Sequence, residues 1–278
     1  MLFRSSDDML APNYIETIMS AFESESTNVV YASLQYIDEN NNFLMGGIRL
    51  NAAVCQNEIF RKSFLEGNQL PSPGMAFRKT SIRPFLPLNM GLIQFSDYQL
   101  HLLLMHHNKI KIIEEPLVNY RRTTTSASAA SPSVTFRESL EMNMLMDTVV
   151  DLIGNNVADF LKYFGQEPLI QNNSIDQTTI PFWLGRLAIE SKQISRKRWG
   201  IQMIMKYISI EDNMNRLNAL YGFSFSEYLK LTHVDASPTD SKLKILIRLS
   251  RLYDGLSKAF FPLVLVLIFM LILFFIQR

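Results

Sequence analysis

Short apolar runs of strand and helix type fill the first part of this chain, and amphipathic helical runs fill the rest. Asn28 to Ile37 (NVVYASLQYI) is rich in β-branched and aromatic residues and predicts a strand. Asp38 to Asn42 is a turn cluster, and Phe43 to Leu50 is expected to pair back as a hairpin strand. Residues 51–66 are expected to be helical. Pro71 to Gly74 reads as a loop into a short strand at Met75–Phe77. Residues 97–107 read as a helix with Leu100, Leu103 and Leu104 inward, and Lys109 to Ile113 as a further strand. Near the start, Pro12 suits a first helical turn, and Ile15, Ile18, Met19 and Phe22 follow at helical spacing.

The changeover falls in residues 123–134 (TTTSASAASPSV), a polar linker of small residues. From 135 to 231 the runs FRESLEMNMLMDTVVDLI, PFWLGRLAIESK, RWGIQMIMKYI and DNMNRLNALY predict a helical domain. It carries no chemical motif, and its Met and aromatic positions read as core. Residues 232–241 form a second linker. In residues 242–258, Lys244, Arg248, Arg251 and Lys258 share one helical face. That pattern suits a basic amphipathic juxtamembrane helix on an anionic surface, or equally an ordinary solvated helix. Residues 259–277 (AFFPLVLVLIFMLILFFIQ) carry no charge and are long enough for a bilayer core of about 30 Å. They predict a single-pass C-terminal transmembrane helix, with Pro262 in its first turn. Lys242, Lys244, Arg248, Arg251 and Lys258 precede the span and only Arg278 follows it. The expected location is therefore the inner (cytoplasmic) membrane, with everything before the span cytoplasmic.

Composition narrows the classes. A length of 278 residues allows one large domain or two small ones. A net charge of +1 supplies no global field for nucleic acid, so no nucleic-acid partner is expected. The single cysteine, Cys55, rules out an intramolecular disulfide framework and fits a reducing compartment. Residues 1–20 lack the continuous apolar core of a secretory signal. The adjacent His106 and His107 diverge by about 100° on a helix and cannot form an i, i+4 metal pair.

The candidate chemistry begins with Asp7 and Asp8, adjacent carboxylates at a strand-to-helix junction. Hard divalent cations are held by one or two carboxylates and share substrate phosphates. Carboxylates near a helix N-terminus also complement its dipole, and the residues alone leave both roles open. Likewise Ser96 and Asp97, opening a helix, have the pattern of an N-cap.

Four pieces change this picture. Residues 5–16 (SSDDMLAPNYIE) resemble the metal-binding corner of family 2 glycosyltransferases of the GT-A fold. Residues 70–79 (LPSPGMAFRK), 95–100 (FSDYQL) and 115–121 (EPLVNYR) resemble further pieces of that family, in the same order. The resemblance implies an α/β fold in which residues 1–122 are the C-terminal part of a GT-A domain with an incomplete Rossmann-like sheet. The all-α domain and the transmembrane helix would follow. It implies Mg²⁺ or Mn²⁺ at Asp7 with Asp8, Asp97 as catalytic base, and substrate contacts from Gly74, Arg78, Tyr120 and Arg121. The chain departs from the family where Ser5 replaces the first acidic residue of the corner. It departs again where Arg122-Thr123-Thr124-Thr125 stands in place of a frequent His.

Only Met1 to Arg4 precede the corner, whereas βαβ units for a nucleotide take about 30 residues each. The chain therefore reads as an N-terminally truncated enzyme. It is expected to transfer a sugar from a nucleotide-sugar donor to a hydroxyl of a glycan or lipid-linked acceptor, with inversion, in envelope or cell-surface glycan synthesis. A catalytically inactive, tail-anchored scaffold is the competing expectation. A metal-dependent phosphoryl-transfer enzyme is a third, and it leaves the Ser-Asp and Tyr-Arg pieces unexplained.

Overall fold

The computed structural model describes residues 7–123 and 132–232. Its first elements are β1 (Met9–Leu10), α1 (Tyr14–Ala21), β2 (Val29–Ile37), β3 (Phe43–Ile48), α2 (Gln56–Leu65), β4 (Ala76–Phe77), α3 (Lys79–Ile82), α4 (Ser96–His107) and β5 (Ile110–Arg121). Side chains of β2 alternate between two covered faces. Val30, Ala32 and Leu34 pack with Tyr14 and Ile18 of α1. Tyr31 turns the other way, edge-on to His101 of α4 at 5.3 Å between ring centroids. Burial on both faces explains why this strand reads as a nearly unbroken apolar run.

The sheet order is β1-β5-β2-β3, with β4 also on β2. Only β2 and β5 run parallel; the β1–β5, β2–β3 and β2–β4 pairs are antiparallel. This corrects the expected Rossmann-like sheet to a mixed one. A parallel pair needs a long crossover, and β2 and β5 have one in residues 38–109. β3 instead follows β2 across the turn 38–42, where Asp38 Oδ1 accepts the Asn40 and Asn42 N–H groups, both at 2.8 Å.

β5 also runs well beyond the expected strand end at Ile113. Ala32 pairs with Ile113 but Ser33 pairs with Pro116, so Glu114 and Glu115 bulge out of register. A bulge tolerates the missing proline N–H. The strand then resumes to Arg121.

The second part contains α5 (Pro132–Ile153), α6 (Val157–Phe164), α7 (Pro168–Gln171), α8 (Ile180–Ile189), α9 (Ile194–Ile208), α10 (Glu211–Tyr221) and α11 (Phe225–Thr232). α8 and α9 meet at glycines: a Cβ on Gly200 would lie 2.5 Å from the Gly185 carbonyl oxygen. Helices of this part dock directly on α2 and α4. Arg61 pairs with Glu167 at 2.5 Å, Ser191 Oγ donates to the Leu65 carbonyl at 2.7 Å, and the buried Arg196 donates to Tyr98 Oη at 3.0 Å. Residues up to Phe225 accordingly form one compact unit, and Ser226 onward groups separately.

The expected fold class is corrected at its C-terminal end as well. Among the described residues no helix is long and apolar enough to cross a membrane. The stretches expected as juxtamembrane helix (242–258) and span (259–277), and most of both linkers, lie outside the described residues.

Candidate functional site

The acidic corner is built by strand pairing across the length of the first part. β1 pairs with the end of β5, Met9 opposite Asn119. This brings Asp8 under Arg121: Asp8 is 2% exposed, and its Oδ1 accepts the Arg121 main-chain N–H at 3.0 Å. The Arg121 guanidinium is spent on the corner itself. Nε donates to the Asp7 carbonyl at 2.9 Å, one Nη to the Asp38 carbonyl at 2.6 Å, and the other to Asn41 Oδ1 at 2.7 Å. Arg121 thus ties the corner to the β2–β3 turn. Asp7 is the exposed member of the pair.

Among the described residues no group of three His, Cys, Asp or Glu side chains could hold a metal. A magnesium-type ion commonly takes one or two protein carboxylates and fills its shell with water and phosphate. Asp7 fits that limited role, with Asp8 beneath it holding the corner in shape.

Gly74 and Arg78 lie on the segment that enters and leaves β4. Gly74 has φ +78°, and a Cβ there would sit 2.2 Å from Val118 Cγ2 on β5. Its carbonyl accepts the Tyr14 hydroxyl at 2.7 Å. Glycine is therefore required by the packing of this loop on β5 and α1. Arg78 donates to the Thr27 carbonyl at 2.9 Å and the Phe22 carbonyl at 2.8 Å, with its guanidinium over the Phe22 ring. Its donors hold the α1–β2 connection. Tyr120 is half-buried, its ring beside Tyr36 of β2 at 6.0 Å.

Asp97 is placed differently. It stands in the first turn of α4, whose N-cap position is Phe95 rather than Ser96 or Asp97. A carboxylate from α5 binds the residues just before the helix: Glu141 Oε2 accepts the N–H groups of Gln94 at 2.8 Å and Phe95 at 3.0 Å. A carboxylate at a helix N-terminus also complements the dipole. Glu141→Ala removes both bonds from a side chain that is almost fully buried. The expected cost is about 2–3 kcal/mol, seen as a lower urea midpoint and faster amide exchange at the start of α4.

Asp97 faces both its own helix and the loop before β4. Ser72 Oγ donates to Asp97 Oδ2, and Oδ1 accepts the Tyr98 N–H at 2.7 Å. Behind Ser72 lies His101, wholly buried, with Nε2 3.4 Å from Ser72 Oγ and Nδ1 3.1 Å from Asn68 Oδ1. Ser72, His101 and Asn68 have the connectivity of a nucleophile triad. Ser72, however, is only 6% exposed, and its hydroxyl bonds more closely to Asp97 than to His101. The arrangement serves the carboxylate rather than a nucleophilic serine.

Burial lowers His101 from its ordinary value to about 4, against the opposing pull of the Asp97 charge. The same burial raises the Tyr31 hydroxyl, with the Asp97 charge adding to it. An unfolded chain therefore binds a proton at His101 near pH 6.5, while the folded chain waits until about 4. The stability held by the neutral ring is complete above about pH 6.5 and is lost as pH falls toward 4, by an amount of the order of 3 kcal/mol. Urea unfolding at pH 7 and pH 4.5 checks this. The wild-type chain should lose more stability between the two pH values than His101→Gln; equal losses would show that His101 is not buried neutral.

The structure therefore joins Asp7 and Asp8 to Arg121, and Asp97 to the loop that contains Gly74. It turns the guanidinium groups of Arg78 and Arg121 inward onto their own chain. No protein-family model and no curated protein matches this chain. Sequence reasoning missed Ser72, His101 and Glu141. The spacing of Asp97 and His101 is i, i+4, which puts both on one helix face and was a usable signal. Ser72 and Glu141 carry no local signal, because their partners are 25 and 46 residues away. A cavity of about 730 Å³ lies elsewhere, lined by Leu65, Glu66, Glu167, Leu187, Glu190 and others, and none of the candidate residues reaches it.

Proposed function

We propose that residues 7–122 form the acceptor side of a glycosyltransferase that uses a nucleotide-sugar donor, with Asp97 as the base. One observation carries the reading. The pieces that resemble the family, far apart in sequence, meet in pairs: the acidic corner with Arg121, and the Pro71–Gly74 loop with Asp97. A half-exposed carboxylate held by Ser72 at the start of α4 can take a proton from an acceptor hydroxyl as the sugar is transferred. Gly74 lets the neighbouring backbone pack closely enough to keep this loop in place. Arg121 keeps Asp7 at the surface of the corner. A divalent cation held by Asp7 would neutralise charge on the departing nucleoside diphosphate.

Manganese with a nucleoside diphosphate tests the reading on the full chain. Amide signals of Asp8, Met9 and Arg122 should broaden, and Asp7→Asn should abolish the broadening. A panel of nucleotide-sugars should also show one donor from which nucleoside diphosphate is released. If neither broadening nor release is seen, the reading fails. A binding protein without catalysis is the second reading, favoured by the inward-turned Arg78 and Arg121. It requires that manganese and nucleotide leave the spectrum unchanged.

A further inference from the structure

We propose that Ser72 and His101 form a hydroxyl switch behind Asp97, making His101 a positioning residue for the proposed base. This role rests on the glycosyltransferase reading, but the geometry of the switch does not.

The tautomer of His101 follows from its neighbours. Asn68 Oδ1 accepts the Leu70 N–H at 3.2 Å, which fixes the amide with its oxygen toward the ring. His101 Nδ1, 3.1 Å from that oxygen, must then be the donor. A buried neutral imidazole with its proton on Nδ1 has only a lone pair at Nε2. That lone pair faces Ser72 Oγ at 3.4 Å. Ser72 has one hydroxyl proton and two acceptors competing for it, Asp97 Oδ2 and His101 Nε2.

The charge on Asp97 decides the competition. While the carboxyl is ionised, charge assistance directs the Ser72 proton to Oδ2. Once the carboxyl takes a proton from an acceptor hydroxyl, Oδ2 becomes a donor. Ser72 Oγ then accepts from it, and the Ser72 O–H rotates toward His101 Nε2. No proton leaves the cluster in this exchange. The one gained from substrate stays on Asp97, and Ser72 only reorients its own. His101 thus supplies an acceptor that is used only in the protonated state of the base, so that state is not left with an unsatisfied buried hydroxyl. The titratable groups facing the ring are Asp97 on the same helix and Tyr31 from β2.

The test reads the ring nitrogens of the full-length, ¹⁵N-labelled chain at pH 7, in wild type and in variants. His101 should show the Nδ1–H tautomer. Asp97→Asn removes the charge that directs the Ser72 proton, so the Nε2 signal should shift in that variant with the ring still neutral, and in Ser72→Ala the shift should vanish. In turnover, His101→Phe should lower kcat by up to about tenfold with KM unchanged, the effect of one buried hydrogen bond. An Nε2–H tautomer, or a nitrogen signal that ignores the carboxyl, overturns the switch. Ser72→Ala removes one oxygen and keeps the test informative should His101→Phe fail to fold. Because the nitrogen signature needs no substrate, a chain that shows it without any turnover refutes the glycosyltransferase reading and leaves the switch standing. A chain that turns over without it does the reverse.

Discussion

Gly74→Ala should destabilise the protein by about 2–4 kcal/mol, lowering the melting temperature by about 5–15 °C. Two costs add at this position. A residue with a Cβ is strained at φ +78°, by about 1–2 kcal/mol. The new methyl would also lie 2.2 Å from Val118 Cγ2, with Tyr14 Cε2 at 3.6 Å behind it. Val118 is fully buried in β5 and cannot turn aside without disturbing its packing against α1. The loop must therefore move, which carries Ser72 away from Asp97. Thermal melting by circular dichroism checks the first effect. The second is seen as loss of the Ser72–Asp97 coupling in the His101 nitrogen spectrum. A variant that melts within about 2 °C of wild type would show that the loop has another way to pack.

Asp97→Asn should lower nucleotide-sugar turnover about 10²–10⁴-fold while leaving the fold intact. Asparagine has nearly the shape of aspartate, and its oxygen can still accept from Ser72, so stability should change little. What is lost is the ability to accept a proton, and the loss belongs in kcat rather than KM. Comparing turnover with the melting curve separates the two roles Asp97 could have. A structural carboxylate would lower stability and leave the rate per folded molecule unchanged. Retention of more than a tenth of wild-type turnover would remove Asp97 from the base role.

Glu141 and Asp97 divide the N–H groups at the start of α4 between them. Ser96-Asp97 at the start of a helix is the local signature of a cap. The N-cap position is Phe95 instead, and its N–H is taken by a carboxylate from α5, 46 residues away. Asp97 bonds the first-turn Tyr98 N–H through Oδ1 and leaves Oδ2 for Ser72. Arg78 and Arg121 have partners that their local sequence does not show. Each sits where the resemblance implies a substrate contact, and each sends its donors into carbonyls of its own chain.

What the sequence determined by itself is what depends on nearest neighbours along the chain. The doubly buried strand 29–37, the Asp38 turn and the hairpin after it are written in residue type and spacing. So is the run of amphipathic helices between 132 and 221. Each of these reflects backbone preference and the periodicity of one buried face, and both are local properties. The tertiary structure decided the antiparallel edges of the sheet, the extension of β5 past its Glu114–Glu115 bulge, and the partners of every candidate side chain. Arg121 meets Asp7 across 114 residues and Ser72 meets Asp97 across 25. A hydrogen bond to a distant partner leaves no trace in local periodicity. It depends only on where the packed core brings the two groups, and in this protein the buried faces of β2 fix those places.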